Sequence, residues 1–311
     1  MAGVSRSAPL GGPVIVVGDA GLDVVARYTG RIVHGGDSRA RVSIEPGGAG
    51  ANTAAWLAQC GASPVLVARV GADSAGRQVH AELTAIGVRC AFAVDPDAAT
   101  CCVVVLVDEH GQRTMLPDRG ANARFSPADL DPALLAGASH LHLSGYVLLD
   151  ASSRAAGLAA LAAAHRAGLT TSVDPQAAAL ITDPAGFLAA IRGVDLLLPN
   201  QDELAALTGS GDPAAARELL DVVGAVAVTT GEQGASWVDQ DGVVAVPAEP
   251  AVCVDSTGAG DAFDAGLLAA WLAGRGPVEA LRAGVAAGAS AVRLVGAQPA
   301  RQQRPDTGLN G

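Results

Sequence analysis

The sequence contains no lysine; its 20 basic side chains other than histidine are all arginine. That absence excludes a GK[ST] phosphate loop, a lysine Schiff base for pyridoxal phosphate and the lysine of the protein-kinase motif set. Any nucleotide bound here would have to be held by backbone, arginine and metal. No apolar run reaches the ~20 uncharged residues of a membrane span. The segment "MAGVSRSAPLGGP" lacks the apolar stretch of a secretory signal, so a cytoplasmic location without a membrane partner is expected. Cysteine is scarce and odd in number: Cys60, Cys90, Cys101, Cys102 and Cys253 match no CxxC spacing and read as reduced core or strand residues. The net charge is −11 and no block of arginine stands out, so a nucleic-acid partner is not expected. An anionic ligand stays open, because a phosphate site can be built from backbone N–H groups alone.

What is present points to a folded chain. Half of the 311 residues are hydrophobic and 16% are charged, enough for a substantial core. Between ends rich in Gly, Pro, Arg and Gln (1–12 and 301–311, expected to be flexible tails), short apolar runs alternate with alanine-rich helical patterns. Strands are predicted at 13–19, 64–71, in "ASHLHLSG", in "TTSVDP", at "VDLLLPN" and at "GAVAVTTG". Helices are predicted at 49–62, 74–88, in "SRAAGLAALAAAHRAGL", in "QDELAALTG" and in "DAFDAGLLAAWLAG". This alternation argues for an α/β fold with a mostly parallel sheet. Two stretches, 24–46 and 91–118, show β-rich alternation without a helix between and suit a small antiparallel sheet standing off the main one. The Gly35-Gly36 and His110-Gly111 turns fit hairpins there.

In an open parallel sheet, ligands bind where strands end and helices begin, and four such junctions carry polar or glycine-rich residues. "GDAGLD" (18–23) lacks the third glycine and the helix of a dinucleotide fingerprint; Asp23 is either an acceptor for polyol hydroxyls or a turn residue. "PGGAGANTA" (46–54) places Gly47, Gly48 and Gly50 where backbone can approach a ligand. Asn52 there can donate to one hydroxyl and accept from another, or cap the helix. "LLLPNQDELAALTG" (196–209) reads as a helix start with Asn200 as cap and Glu203 three residues on. Its functional alternative is magnesium held through water. "VDSTGAGDAF" (254–263) sets Gly258, Ala259 and Gly260 directly before Asp261 at the start of a helix. Exposed N–H groups and a carboxylate in four residues suit phosphoryl transfer to an alcohol, where an anion and a proton acceptor must meet. A hydrolase finds no support: Ser144 is in no GxSxG elbow, and His140 and His142 alternate on a strand without a recognisable triad.

At this point the sequence resembles the ribokinase-like (PfkB) carbohydrate kinases. "DSTGAGDAF" resembles the family's C-terminal signature and "GGAGAN" its N-terminal one. "PNQDE", "VTTGEQGA" (228–235) and "GAQP" (296–299) follow the family's order across residues 13–300. The resemblance implies a three-layer α/β/α fold with a mostly parallel central sheet and a small β-rich lid, formed by about 24–46 and 91–118. It implies ATP as phosphoryl donor, with Mg2+ and K+. Asp261 would be the general base, and Gly258, Ala259 and Gly260 the anion hole. Asp23, Gly48 and Asn52 would hold the sugar. Asn200, Thr229, Gly231 and Gly234 would lie on the nucleotide side, with Glu203 acting on magnesium through water. Asp255, Ala291 and Gly296 would form a potassium site.

The chain also departs from ribokinases proper. Ala49 stands where they usually carry Lys, Gly21 where they carry Asn, and Ser144-Gly145 where they tend to have an acidic residue, so ribose as the acceptor is put in doubt. Arg113 and Arg119, in "QRTMLPDRGAN", are candidates to meet a carboxylate or phosphate on the acceptor, or else belong to a solvated hairpin. The expected activity is phosphorylation of a hydroxyl of a pentose, ketohexose or keto-deoxy sugar acid. The alternatives are a nucleoside kinase of adenosine or pseudouridine type, for which Tyr28, Phe92, Phe125 and Tyr146 offer a thin aromatic wall, and a catalytically silent sensor. A homodimer through the lid is a further expectation.

Overall fold

The computed structural model describes residues 11–110 and 112–299. The expected tails, apart from residues 11 and 12, and the Gly111 half of one predicted turn lie outside them. The chain opens with β1 (Val14–Val17), leaves the main layer for β2 (Gly21–Tyr28) and β3 (Ala40–Gly47), and returns through α1 (Ala49–Gln59) to β4 (Pro64–Gly71). Next come α2 (Ser74–Ala85) and β5 (Arg89–Asp95), then a second excursion into β6 (Cys101–Val107) and β7 (Arg113–Asp118). The remainder runs β8 (His140–Ser144), α3 (Tyr146–Leu149), α4 (Arg154–Ala167), β9 (Thr170–Asp174), α5 (Pro184–Ala190), β10 (Leu196–Leu197) and α6 (Gln201–Thr208). It closes with β11 (Ala225–Thr229), β12 (Ala235–Asp239), β13 (Gly242–Val246), α7 (Ala259–Leu272) and α8 (Pro277–Ala291).

Nine strands form one sheet in the order β13-β12-β11-β10-β9-β8-β1-β4-β5, parallel except for β12, which runs against both its neighbours. Strand period two explains the three layers. Val14 and Val16 of β1 face a cluster built with α1, α2, α7 and α8, while Ile15 and Val17 face a second cluster built with α3 to α6. β1 is the first strand of the chain, and the chain order runs outward from it on both sides, which makes the crevice beyond β1 and β8 a topological switch point.

The smaller sheet has the order β3-β2-β6-β7. It differs from the sequence expectation in two respects. Residues 91–95 belong to β5, paired in parallel with β4 at the edge of the main sheet, so the 91–118 stretch is split between the sheets. The small sheet is also mixed, because β2 and β6 both leave the C-terminal edge of the main sheet and therefore run parallel. Several predicted spans shorten: the strand in 194–200 pairs regularly only at Leu196–Leu197, ahead of Pro199, α1 stops at Gln59 and α2 at Ala85. All five cysteines are free, but Cys60 and Cys253 are exposed rather than in the core. Among the described residues no helix is long and apolar enough to cross a membrane.

Candidate active site

The site is assembled at the C-terminal ends of β1, β8, β9, β10 and β11, under the N-terminus of α7. Gly258 caps α7 in the left-handed region at φ 72°, and a Cβ there would stand 2.4 Å from the Ala297 carbonyl oxygen. Only glycine fits this turn without strain. The helical ladder begins with the Ala262 N–H donating to the Gly258 carbonyl, so the preceding N–H groups lie outside it. The Ala259 N–H makes a turn bond of 3.3 Å to the Ser256 carbonyl. The positive end of the α7 dipole adds to the field these groups present.

Asp261, in the first turn, is buried. Its carboxylate accepts from Asn52 Nδ2 at 3.0 Å, Thr53 Oγ1 at 3.4 Å and Gln176 Nε2 at 3.4 Å. Burial pushes its pKa up to about 6, and these three donors hold it from rising further. Gln298 Nε2 in turn donates to Asn52 Oδ1 at 3.2 Å. Asp23, on β2 of the small sheet, is also raised to about 6, first by burial and then by the charges of Asp261 and Glu45. Gly47, its neighbour on β3, has no room for a side chain, since a Cβ would sit 2.3 Å from an Asp23 carboxylate oxygen. Gly48 takes φ 95° and lies against the Asp19 carbonyl. Asp23, Asn52, Gly48 and Asp261 are thus brought to one place, as the sequence implied. Gly21 has a local cause: a Cβ there would meet the Cys101 carbonyl at 2.5 Å.

Asn200 caps α6 through a complete capping box. Its Oδ1 accepts the Glu203 N–H at 2.9 Å, and Glu203 Oε2 accepts the Asn200 N–H at the same distance. The helix-start reading was therefore right as far as it went, but Glu203 is also buried and its pKa is pushed up to about 7. Burial is the largest cause; the Asn200 bonds oppose it, and the charges of Asp202 and Asp261 add to it. Thr229 ends β11, and Gly231 and Gly234 follow with φ of 56° and 105°. With Ala259, Gly260, Phe263 and Val285 they line a cavity of about 680 Å3. A second cavity of about 180 Å3 shares Thr229, Ser256, Ala259 and Gly260 with it and reaches Asp174, Asn200, Glu203, Asp261 and Asp264. The two meet at the Gly258–Gly260 turn.

Four residues of this site were missed in the sequence. Asp174, at the end of β9, and Asp264, one turn along α7 from Asp261, are buried. Burial comes first in raising both well above the ordinary range; Glu203 adds to Asp174, and Asp174 to Asp264. Asp264 Oδ2 is buried without a partner. Gln176, φ 72°, is the only described non-glycine residue with positive φ, and its amide bonds both Asp174 and Asp261. Asp19 completes the set. Asp174 was reachable by the strand-end rule applied to Asp23, and Asp264 by its i, i+3 spacing from Asp261; nothing in the sequence marked Gln176. No three His, Cys, Asp or Glu among the described residues converge as a metal cage.

Arg113 and Arg119 are both paired with carboxylates of the chain. Arg119 grips Asp19 with two nitrogens at 2.8 and 3.2 Å and reaches Asp150 at 2.6 Å. Burial disfavours its charge, and Asp19 and Asp150 outweigh that. Arg113 bonds the hydroxyls of Ser256 and Thr257 and the Asp255 carboxylate. Arg113 is exposed at the start of β7, in the β6–β7 hairpin, and Arg119 is partly buried just after that strand. Of the expected potassium ligands, Gly296 donates its N–H to Asp255 Oδ2 at 3.2 Å, and the Ala291 carbonyl accepts one N–H, from Leu294. His140 and His142 are buried and bonded to Ser172, and His140 also to Thr170, in keeping with a structural role.

Residues 13–304 match the pfkB family of carbohydrate kinases. The chain is 34% identical to a fructokinase of Klebsiella pneumoniae, covering 84% of each chain. It is 32% identical to an ATP-dependent ribose-1-phosphate kinase of Halopiger xanaduensis, over 92% of this chain and 94% of that protein. A putative ribokinase II from E. coli, solved in complex with ATP and Mg2+, superposes with a TM-score of 0.83 at 25% identity, over 93% of this chain and 94% of that one. The chain therefore belongs to the pfkB family of carbohydrate kinases, phosphotransferases that act on an alcohol group.

Proposed function

We propose that the chain transfers the γ-phosphoryl group of ATP to a hydroxyl of a neutral sugar, a ketohexose or pentose, with Asp261 as general base and the 258–260 backbone as anion hole. The observation that carries the chemistry is a buried carboxylate with no arginine against it among the described residues, standing in the first turn of a helix where two cavities meet. The acceptor oxygen forms its bond to the γ-phosphorus as the bond from phosphorus to the β-bridging oxygen breaks. The hydroxyl proton passes to Asp261, and ADP leaves with the electron pair of the broken bond. A loose transition state asks little of the base, so an aspartate with a pKa of about 6 is ionised and adequate at neutral pH. Asn52, Thr53 and Gln176 hold the carboxylate in place. Glu203, acting through water, suits magnesium; bound there, the ion would neutralise charge on the phosphates.

The acceptor class follows from the arginines. Asp23, Asn52 and the Gly48 backbone suit hydroxyl groups, while Arg113 and Arg119 are already spent on carboxylates. The small sheet, whose inner face carries Asp23 and Arg27, is read as a lid over the acceptor. Its outer face aligns Ile44, Val24, Val104 and Leu116 across all four strands, with Ile44 and Leu116 more than half exposed. An apolar row of this kind suits a second copy of the chain. The fructokinase relative agrees with a neutral acceptor, and the ribose-1-phosphate kinase relative is the rival. ADP formation from Mg-ATP should be followed with fructose, ribose, 2-keto-3-deoxygluconate, ribose 1-phosphate and adenosine. A neutral free sugar should lead in kcat/KM; a leading sugar acid, sugar phosphate or nucleoside would overturn the acceptor assignment.

A further inference from the structure

The turn that presents the anion hole is preceded by Asp255, Ser256 and Thr257, and the Asp255 carboxylate is almost fully enclosed, with 10% of its side chain exposed. Both of its oxygens are engaged. Oδ1 accepts from the Thr257 N–H at 3.0 Å, the Thr257 hydroxyl at 2.6 Å and Arg113 at 3.4 Å. Oδ2 accepts from Arg27 and from the Gly296 N–H, each at 3.2 Å. Nearby, the Val292 carbonyl accepts the N–H groups of Val254 and Asp255, and that of Ala291 accepts one, from Leu294. The carboxylate that would be the anionic ligand of a potassium ion is met here by two guanidinium groups and by Thr257 and Gly296.

A buried carboxylate requires a counter-charge. In this chain the charge arrives from the small sheet. Arg27 on β2 and Arg113 on β7 stand in one register row, each opposite Val107 of β6, and both reach the same carboxylate. Arg113 also ties down the Ser256 and Thr257 hydroxyls. On its other side the turn is fixed by Gly296 and by the close seat of Gly258 on Ala297. A further cation beside two guanidinium groups would meet like charge. We infer that Arg27 and Arg113 take the place of a monovalent cation, positioning the anion turn from the small sheet and making the reaction independent of potassium. The inference rests on reading residues 258–260 as the anion hole.

The test uses the full chain in potassium, sodium and tetramethylammonium chloride at one ionic strength. Two quantities are followed: Mg-ATP affinity by calorimetry, which needs no acceptor, and ADP formation with the best acceptor. For the unaltered protein both should agree across the three salts within about twofold. The double variant Arg27→Met/Arg113→Met should lose about 10- to 100-fold in kcat in tetramethylammonium, with acceptor KM little changed, and recover most of it in potassium. Arg113→Lys, which keeps the charge, should stay insensitive to the salt. Potassium activation of the unaltered protein by about tenfold or more would overturn the inference while leaving the kinase reading intact. So would a double variant that is as active as the unaltered protein in every salt, or one that potassium does not restore. Failure to bind Mg-ATP in any salt would overturn the kinase reading itself, and the inference with it.

Discussion

Asp174, Glu203, Asp261 and Asp264 are buried with no arginine within ion-pair distance among the described residues, whereas Asp19, which is equally buried, and Asp150 and Asp255 at the rim each carry at least one guanidinium. The first group lies within the crevice between the two halves of the main sheet. The second lies where the small sheet and the loop after β7 close over it. Their electrostatics run in opposite directions. Burial raises all four interior carboxylates, while for Asp150 and Asp255 hydrogen bonds and arginine outweigh burial and lower them. A carboxylate already paired with arginine has its charge settled by the fold and serves as structure. One left unpaired and desolvated is held at some cost in stability, and that cost is met when a proton, a magnesium ion or a hydroxyl donor arrives.

The largest expected effect tests the interior group. Asp261→Asn should lower kcat by about 10²–10⁴-fold, while calorimetry should find Mg-ATP affinity nearly unchanged. A rim substitution should act on stability instead. Arg119→Ala leaves Asp19 and Asp150 without their shared partner and should cost about 2–3 kcal/mol in denaturant unfolding. Because Arg119 is spent on those carboxylates, the ratio of kcat/KM between neutral and anionic acceptors should not move. A selective loss of anionic acceptors would blur the distinction between rim and interior.

A smaller effect sharpens the same comparison through pH. The folded pKa of Asp261 is about 6, above its ordinary 3.8. The folded protein therefore holds a proton there that the unfolded chain releases, and stability is lost as pH rises between those two values. Asp261→Asn carries no such cost. Its melting free energy relative to the unaltered protein should improve by about 2 kcal/mol between about pH 4 and pH 8, the change being complete once pH passes 6. A difference that stays flat across that range would mean that the carboxylate is not desolvated.

Much of this was legible in the sequence, because the fold obeys local rules. Buried strands such as "PVIVV" and "PVLVARVG" were bounded by glycine, and "STGAGD" announced a glycine-rich helix start. Asn52 and Asp261 were found because each stands near a helix start, where open α/β sheets bind ligands; Asp23 was read at a strand end but lies within β2, early in the strand. What could not be read depended on partners far away in the chain. Whether Arg119 faces a ligand or Asp19 is decided across 100 residues, and whether Arg113 reaches Asp255 across 142. The lid span was overdrawn for a related reason: "CAFAVD" alternates like a hairpin strand but finds its partner in β4 of the main sheet. Gln176 owes its place to a backbone conformation that no residue type advertises.

The most direct test of the central claim is the pH dependence of kcat/KM in the unaltered protein with its best acceptor. If the unpaired Asp261 carboxylate is the base, the rate should rise about tenfold per pH unit below 6 and level off above it, and Asp261→Asn should lose that limb along with its activity. A profile that is flat through 6, or an Asp261→Asn variant that retains both the limb and the rate, would contradict the assignment of Asp261 as the catalytic base.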